Sequence, residues 1–328
     1  MSATSVSATS VSVPPVEFEH RRTPLFGRDL LSLRDLSPDE MSAVLVLADG
    51  MKKDPVKFST ALRAKTLAMV FEKPSLRTRV SFDVGMTQLG GHALDLSPEI
   101  SLGKRESLHD VAKNLERMVD AIMVRTYGHE GLVRLAEFAG IPVINGLTDY
   151  SHPCQGLADY MTMREVKGDL RGLRVAYLGD GNNVCHSLIF GAALTGAHFV
   201  AATPAGYEPA QDALAWAREA GMRTGARIDA TTDPDEAARD ADVVYTDVWA
   251  SMGQEAEADA RHRIFLPFQV NARLFGLARR DAMFMHCLPA HRGSEVTDDV
   301  IDSPRSVVFQ QAENRLHAQK ALLFSLMR

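Results

Sequence analysis

The sequence has few cysteines and lacks long apolar runs. Its 328 residues include three cysteines, Cys154, Cys185 and Cys287, which lie far apart and form no C-x-x-C pair. An odd number of scattered cysteines argues against a disulfide framework and for a reducing compartment, so we expect a cytoplasmic protein. No apolar run approaches the roughly 20 residues that a membrane helix requires, so we expect no membrane association.

Positive charge is also scarce. Lys and Arg together number 36 against 42 Asp and Glu, which gives a formal net charge of −6. An acidic chain is a poor candidate for binding nucleic acid or anionic membranes. A site for a phosphorylated ligand must therefore collect its positive charge locally.

The amino-terminal stretch is dominated by Ser, Thr, Val and Ala, with an internal repeat (SATSVSATSVSV). It lacks the charged and apolar regions of a secretory signal. We expect residues 1–20 to form a disordered tail that takes no part in the fold.

The remaining chain alternates short apolar runs with turns and helical stretches. This alternation is typical of α/β units, and therefore of largely parallel sheets. The predicted strands are Thr66–Phe71, Ala121–Val124, Pro142–Ile144, Val175–Leu178, Phe199–Ala202, Val243–Tyr245 and Ala282–Met285.

Three helices have clear sequence signals. Ser37, Pro38 and Glu40 form a capping-box pattern that predicts a helix running to about Lys53. The segment 153–167 reads as one helix before a glycine-containing turn, and 312–328 reads as a long amphipathic helix with no strand after it.

Open α/β sheets bind ligands beyond the carboxyl ends of their strands. After the strand Thr66–Phe71, Ser75 and Thr78 supply hydroxyl groups and Arg77 a guanidinium group at the start of a helix. Free backbone N–H groups, the helix dipole and bidentate arginine bonds favour a phosphate there. Arg125 ends the next run, and His152 and Gln155 begin the helix 153–167; each could equally be a structural residue.

The second half offers three weaker patterns. The turn Gly179–Asn183 contains half of a dinucleotide fingerprint, but Val184 stands where the third glycine belongs, which argues against NAD binding. Asp247 ends a strand and could accept an ammonium group or cap a helix. His286, Cys287 and His291 lack a fourth partner at a familiar spacing, so we predict no metal site.

Taken together, these motifs resemble the carbamoyltransferase family. The order of Ser75–Arg79, Arg125, His152–Gln155, Asp247 with Ser251–Gly253, and His286–Pro289 is the family's order, and the likeness runs from about Leu30 to the carboxyl terminus. The Ser-Met-Gly and His-Cys-Leu-Pro motifs resemble those of ornithine carbamoyltransferases, and the stretch 311–315 resembles their carboxyl-terminal signature.

The resemblance implies two doubly wound parallel-sheet domains with a connecting helix, and a C-terminal helix packing back on the first domain. We place the carbamoyl-phosphate-binding domain at 21–152, the ornithine-binding domain at 153–308 and the returning helix at 309–328. It further implies an active site between the domains, a homotrimer or an assembly of trimers, no cofactor, and transfer of a carbamoyl group to ornithine in arginine biosynthesis.

The resemblance also assigns residues to the two substrates. Those implied to bind carbamoyl phosphate are Ser75, Leu76, Arg77, Thr78, Arg125, His152, Gln155 and Arg315. Those implied to bind ornithine are Asn183, Asp247, Ser251, Met252, Cys287 and Leu288. Of these, Arg125, His152, Asp247 and Cys287 are the expected catalytic residues.

Two positions depart from the family pattern. Leu76 replaces a usual threonine, so we expect only its backbone N–H to serve the phosphate. Ser101 replaces a longer polar residue in a segment that reaches a neighbouring subunit. Competing functions are a carbamoyltransferase for putrescine, N-acetylornithine or aspartate, and a non-catalytic regulatory homologue.

Overall fold

The computed structural model describes residues 22–96, 105–250 and 257–328. The expected tail at 1–20, the departure at Ser101, and the predicted ornithine residues Ser251 and Met252 lie outside these ranges. Within them, no helix combines the length and apolarity needed to cross a membrane.

Two parallel sheets organise the described part of the chain. The first has the strand order β2-β1-β3-β4 and the second the order β7-β6-β5-β8-β9, and every pairing is parallel. The strands are β1 (Thr66–Phe71), β2 (His92–Leu96), β3 (Ala121–Arg125), β4 (Val143–Leu147), β5 (Arg174–Leu178), β6 (His198–Ala202), β7 (Ile228–Thr231), β8 (Val243–Thr246) and β9 (Met283–His286).

Helices connect the strands and cover the sheets. They are α1 (Pro38–Lys53), α2 (Leu76–Gln88), α3 (Leu108–Leu115), α4 (His129–Phe138), α5 (Pro153–Lys167), α6 (Asn183–Thr195), α7 (Gln211–Thr224), α8 (Pro234–Ala238), α9 (Ala258–Phe265), α10 (Ala272–Phe275), α11 (Asp298–Ile301) and α12 (Val308–Met327). This arrangement confirms the predicted α/β class with two parallel-sheet halves.

The predicted helix signals are confirmed in detail. The Ser37 hydroxyl accepts from the Glu40 backbone nitrogen at 3.2 Å, and the Glu40 carboxylate accepts from the Ser37 nitrogen at 2.8 Å, which forms the expected capping box of α1. Helix α5 has the predicted bounds. The last helix begins at Val308, four residues before the predicted start.

Two strands, β2 and β7, were absent from the sequence prediction. Both lie at a sheet edge, and both present partly exposed side chains. The edge strands β4 and β9 are buried and were predicted, so it is the exposure of β2 and β7 that removes the continuous apolar run from their sequences.

Helix α12 returns from the second sheet to the first half of the chain. It packs against α1, α2 and α5. Its buried residues include Leu322, Leu323 and Leu326, which join the same hydrophobic core as Met41 and Leu157. This contact confirms the predicted packing of the C-terminal helix, while the exact domain boundaries stay a prediction.

Candidate active site

The carboxyl ends of both sheets open into one cleft of about 750 Å³. The segments that follow β1, β3 and β4 approach it from one side, and those that follow β5, β6, β8 and β9 from the other. Predicted site residues that line it are Ser75, Arg77, Thr78, Arg125, His152, Gln155, Asn183, Asp247, Cys287, Leu288 and Arg315.

The turn after β1 forms the amino-terminal end of α2. Ser75 is the N-cap residue, and its hydroxyl accepts from the Thr78 backbone nitrogen at 3.2 Å. Thr78 and Arg77 in the first turn line the cleft. The Leu76 side chain is 73% exposed and does not line the cleft, so any contribution from this residue comes from its backbone.

Three arginines line the cleft around Thr78, and two of them, Arg125 and Arg315, reach it from distant parts of the chain. The Thr78 hydroxyl accepts from Arg125 Nη1 at 3.4 Å and from Arg315 Nη2 at 3.1 Å, while Arg77 donates to the backbone carbonyl of Leu288. No carboxylate of a described residue forms an ion pair with any of the three guanidinium groups. The cluster is therefore a concentrated positive site, suited to an anion.

Burial in this cluster alters the titration of its members. Burial, together with the nearby charges of Arg315 and Arg77, lowers the pKa of Arg125 to about 10. Burial also lowers the pKa of Arg315. With a pKa of about 10, Arg125 still carries its proton near pH 7, and an anion bound between Arg125 and Arg315 would relieve their mutual repulsion.

His152 and Gln155 extend the cluster from the start of α5. Burial, followed by the charges of Arg315, Arg125 and Arg77, lowers the pKa of His152 well below its usual value, so the imidazole is neutral. Its Nδ1 atom has no hydrogen-bond partner among the described residues. Gln155 accepts from Arg315 at 2.7 Å through Oε1 and donates to Asp159 at 2.8 Å through Nε2.

Across the cleft, Asp247 and Cys287 form a polar pair. The Cys287 thiol donates to Asp247 Oδ1 at 3.0 Å, and Asn182 Nδ2 donates to Asp247 Oδ2 at 2.9 Å. Burial and the adjacent Asp247 carboxylate raise the pKa of Cys287 well above its usual value, so the sulfur stays a thiol. The pair offers negative charge opposite the arginines, which suits an ammonium group.

Sequence reasoning did not identify several lining residues. Lys73 lies in the turn just before Ser75, where it is buried and forms an ion pair with Asp149. Its closeness in sequence to Ser75 could have identified it as a site residue. Asn182, which orients Asp247, stands next to the predicted Asn183. Arg261 reaches Asp180 at 3.0 Å from α9, and no local pattern pointed to that pair.

One trio at the wall of the cleft, with His286 buried behind Asp247 and Cys287, has the composition of a metal site. A ligand atom from each of Asp247, His286 and Cys287 lies within 4.8 Å of the others. Both ring nitrogens of His286 already have hydrogen-bond partners, Glu295 and the Leu288 backbone. A metal ion would have to displace one of these bonds, so the donor set is a poor fit, and the absence of a metal site stays our prediction.

Comparison with known proteins agrees with this geometry. The family model "Aspartate/ornithine carbamoyltransferase, carbamoyl-P binding domain" matches residues 28–165, and the "Asp/Orn binding domain" model matches residues 171–326.

Individual relatives match over nearly the whole chain. The ornithine carbamoyltransferase of Pyrococcus horikoshii is 56% identical over 92% of this chain and 96% of its own length. That of Anoxybacillus flavithermus is 57% identical, with 92% and 98% covered. The solved ornithine carbamoyltransferase from Pyrococcus furiosus superposes with a TM-score of 0.90 at 56% identity, covering 92% of this chain and 98% of that one. The chain therefore belongs to the aspartate/ornithine carbamoyltransferase family.

Proposed function

We propose that this protein transfers the carbamoyl group of carbamoyl phosphate to the δ-amine of L-ornithine, which yields L-citrulline and phosphate. One observation carries the proposal: a cluster of three arginines without carboxylate partners among the described residues faces the Asp247–Cys287 pair across one cleft. The arginine cluster suits an activated phosphate, and the Asp247–Cys287 pair suits a diamino acid. The high identity to ornithine carbamoyltransferases supports the same reaction.

The arginine side of the cleft is assigned to carbamoyl phosphate. Ser75, Arg77, Thr78, Arg125 and Arg315 hold the phosphate, with the backbone of Leu76 contributing an N–H group. His152 and Gln155, together with Thr78 and Arg125, surround the carbamoyl group. The uncommitted Nδ1 atom of His152 supports this assignment, because a buried polar atom without a partner is costly unless a ligand satisfies it.

The opposite side is assigned to ornithine. Asn183 and Asp247 hold its amino-acid end, with Ser251 and Met252 included by their family positions. Cys287 and Leu288 line the amine that reacts. Asp247 is buried and already oriented by Asn182 and Cys287, which supports its role as the acceptor for an ammonium group.

The reaction requires a neutral amine. A lysine-like ammonium has a pKa near 10.4, so only roughly one molecule in 10³ is neutral at pH 7, which costs about 4–5 kcal/mol if the site does nothing. Orientation by Asp247 and Cys287 places the δ-amine against the carbamoyl carbon, where the neutral form attacks.

Negative charge then develops on the carbonyl oxygen and the leaving phosphate. Thr78, Arg125 and neutral His152 donate hydrogen bonds to the oxygen, and Arg77 stabilises the phosphate. The departing phosphate takes the proton of the attacking amine, so the chemistry needs no separate general acid. Cys287 is not the nucleophile, because its thiol is protonated and carbamoyl phosphate is already activated.

We further propose that the protein forms a homotrimer in the cytoplasm. Leu76, Val80 and Val84 form an exposed apolar stripe at four-residue spacing on α2. An apolar stripe next to the phosphate turn supports a homotrimer whose contact lies close to the site. The three free cysteines support a cytoplasmic location.

The direct test is product formation with carbamoyl phosphate and a panel of ornithine, putrescine, N-acetylornithine and aspartate. We expect ornithine to exceed the others in kcat/KM by orders of magnitude. Faster reaction of another amine would refute the assignment of the ornithine side while leaving the phosphate side intact. No turnover with any amine, despite carbamoyl phosphate binding, would favour a regulatory homologue.

A further inference from the structure

The loop after β9 folds around the ring of His286. This residue ends β9 and is fully buried. Its Nδ1 atom lies 2.9 Å from the backbone nitrogen of Leu288, and its Nε2 atom lies 3.1 Å from Glu295 Oε1. The imidazole therefore joins the beginning of the loop to its end.

These contacts determine which ring nitrogen carries the proton. A backbone N–H can only donate, so the Leu288 contact requires a lone pair on Nδ1. The single proton of the neutral ring is then on Nε2, where it is donated to Glu295. Glu295 Oε1 also accepts from the His291 backbone nitrogen at 2.6 Å, and the Glu295 side chain is completely buried. Glu295 thus selects the tautomer that holds Leu288.

The residues held in this way face both sides of the cleft. The Leu288 carbonyl accepts from Arg77 in the phosphate cluster, and the neighbouring Cys287 thiol donates to Asp247. Leu288 has a φ of +57°, a left-handed conformation that non-glycine residues adopt only with specific support. The bond from its N–H to His286 supplies such support.

We propose that His286 and Glu295 are positioning residues for the transfer reaction. Glu295 holds the Nε2–H tautomer of His286, and the free Nδ1 lone pair holds the Leu288 peptide, so that Cys287 and Leu288 keep their places between the two substrates. Neither side chain touches a substrate. The inference rests on the proposed carbamoyl transfer, because its effect is read as loss of that activity.

Two amide substitutions at His286 distinguish a positioning role, through the bond to Leu288, from a role in which the ring only packs in the core. In His286→Asn, the side-chain oxygen can occupy the position of Nδ1 and accept from Leu288. In His286→Gln, the amide reaches the position of Nε2 and can still bond Glu295, but the Leu288 N–H loses its acceptor. Both variants remove the ring, so a purely structural role predicts similar losses.

We expect His286→Gln to lower kcat/KM for ornithine roughly 10- to 100-fold, as second-layer orienting groups commonly do, and His286→Asn to stay within about five-fold of wild type. Melting temperatures of both variants show whether folding is affected equally. Equal losses of kcat/KM in the two variants, or a larger loss in His286→Asn, would overturn the proposal.

A second pair covers the case in which His286→Gln does not fold. Glu295→Gln keeps an acceptor for Nε2–H, whereas Glu295→Leu removes it and frees the imidazole to shift its proton to Nδ1. We expect Glu295→Leu to lower kcat/KM for ornithine roughly 10- to 100-fold and Glu295→Gln to stay within about five-fold of wild type. Comparable kcat/KM in the two Glu295 variants would contradict the mechanism.

Wild-type turnover with the amine panel is measured first. This measurement shows whether ornithine is the acceptor before any variant is tested. The kcat/KM values of the variants are then compared for whichever amine reacts.

Discussion

At the scale of single residues, Asp159 is a buried carboxylate next to the site. Its carboxylate is completely buried between the two halves of the chain. It accepts from Gln155 at 2.8 Å, from Gln311 at 2.7 Å and from the Tyr245 hydroxyl at 3.2 Å. All three donors are neutral, so burial dominates and raises the pKa of Asp159 to about 7.

This pKa has a consequence for stability. Asp159 binds its proton more tightly in the folded protein than in the unfolded chain, whose aspartate pKa is near 3.9. The stabilising effect of that proton is therefore complete below about pH 4 and is lost as pH rises through about 7. An amide at position 159 cannot ionise, so a variant with asparagine there lacks this dependence of stability on pH.

We predict that Asp159→Asn gains stability relative to wild type as pH rises from 5 to 8. The difference in the free energy of unfolding between variant and wild type should grow by at most about 1.4 kcal/mol per pH unit. It should become constant above the pKa of Asp159 in the folded protein. Unfolding measured at several pH values and one protein concentration checks this. A difference between the two proteins that does not change with pH would show that Asp159 is ionised throughout.

At the scale of elements, the contact between α5 and α6 depends on one glycine. A Cβ atom at Gly191 would lie 2.1 Å from the Tyr160 ring, which is completely buried. The ring cannot easily retreat, because its hydroxyl donates to the Leu188 carbonyl at 2.6 Å. Helix α5 carries His152 and Gln155, so this packing fixes the helix on which part of the site is built.

We predict that Gly191→Ala lowers the free energy of unfolding by about 2 kcal/mol, because overpacking outweighs the better helix propensity of alanine. Gly131→Ala is the matched control, since Gly131 lies in α4 with no atom within 4 Å of an added Cβ. The control should gain up to about 1 kcal/mol. Equal responses in chemical denaturation would refute the close-packing argument.

At the scale of the whole molecule, the phosphate turn adjoins the exposed stripe on α2. The first residue of this stripe, Leu76, is also one of the two residues that depart from the family pattern. The Leu76 side chain lies outside the cleft. Leucine in place of the family's usual threonine therefore changes the surface of the protein more than it changes the phosphate pocket. Leu76 would then belong to the contact of the proposed trimer.

We predict that Val80→Asp dissociates the proposed trimer and lowers activity, because a carboxylate would be buried in an apolar contact. Val46→Asp, at an exposed apolar position on α1, should leave the assembly unchanged. Light scattering coupled to size-exclusion chromatography distinguishes the outcomes. A wild-type monomer with full activity, or a Val80→Asp trimer, would contradict the assembly proposal.

The sequence alone determined the features that depend on neighbours along the chain. The α1 capping box, the α5 bounds and seven of the nine strands among the described residues were predicted correctly, because caps and buried apolar runs are local signals. Most of the predicted site residues line one cleft, since strand ends of a parallel sheet share an edge. The edge strands β2 and β7 were missed, because partial exposure removes the apolar run.

Only the tertiary structure decided the relations between distant segments. Nothing in the local sequence places Arg315 of α12 on Thr78, 237 positions earlier in the chain. The hydrogen bonds of Asp159 and the tautomer of His286 likewise depend on which donors other elements bring to them. Hydrogen bonds and pKa values depend on distances between atoms in space. Residues far apart in the sequence come within such distances only when the chain folds.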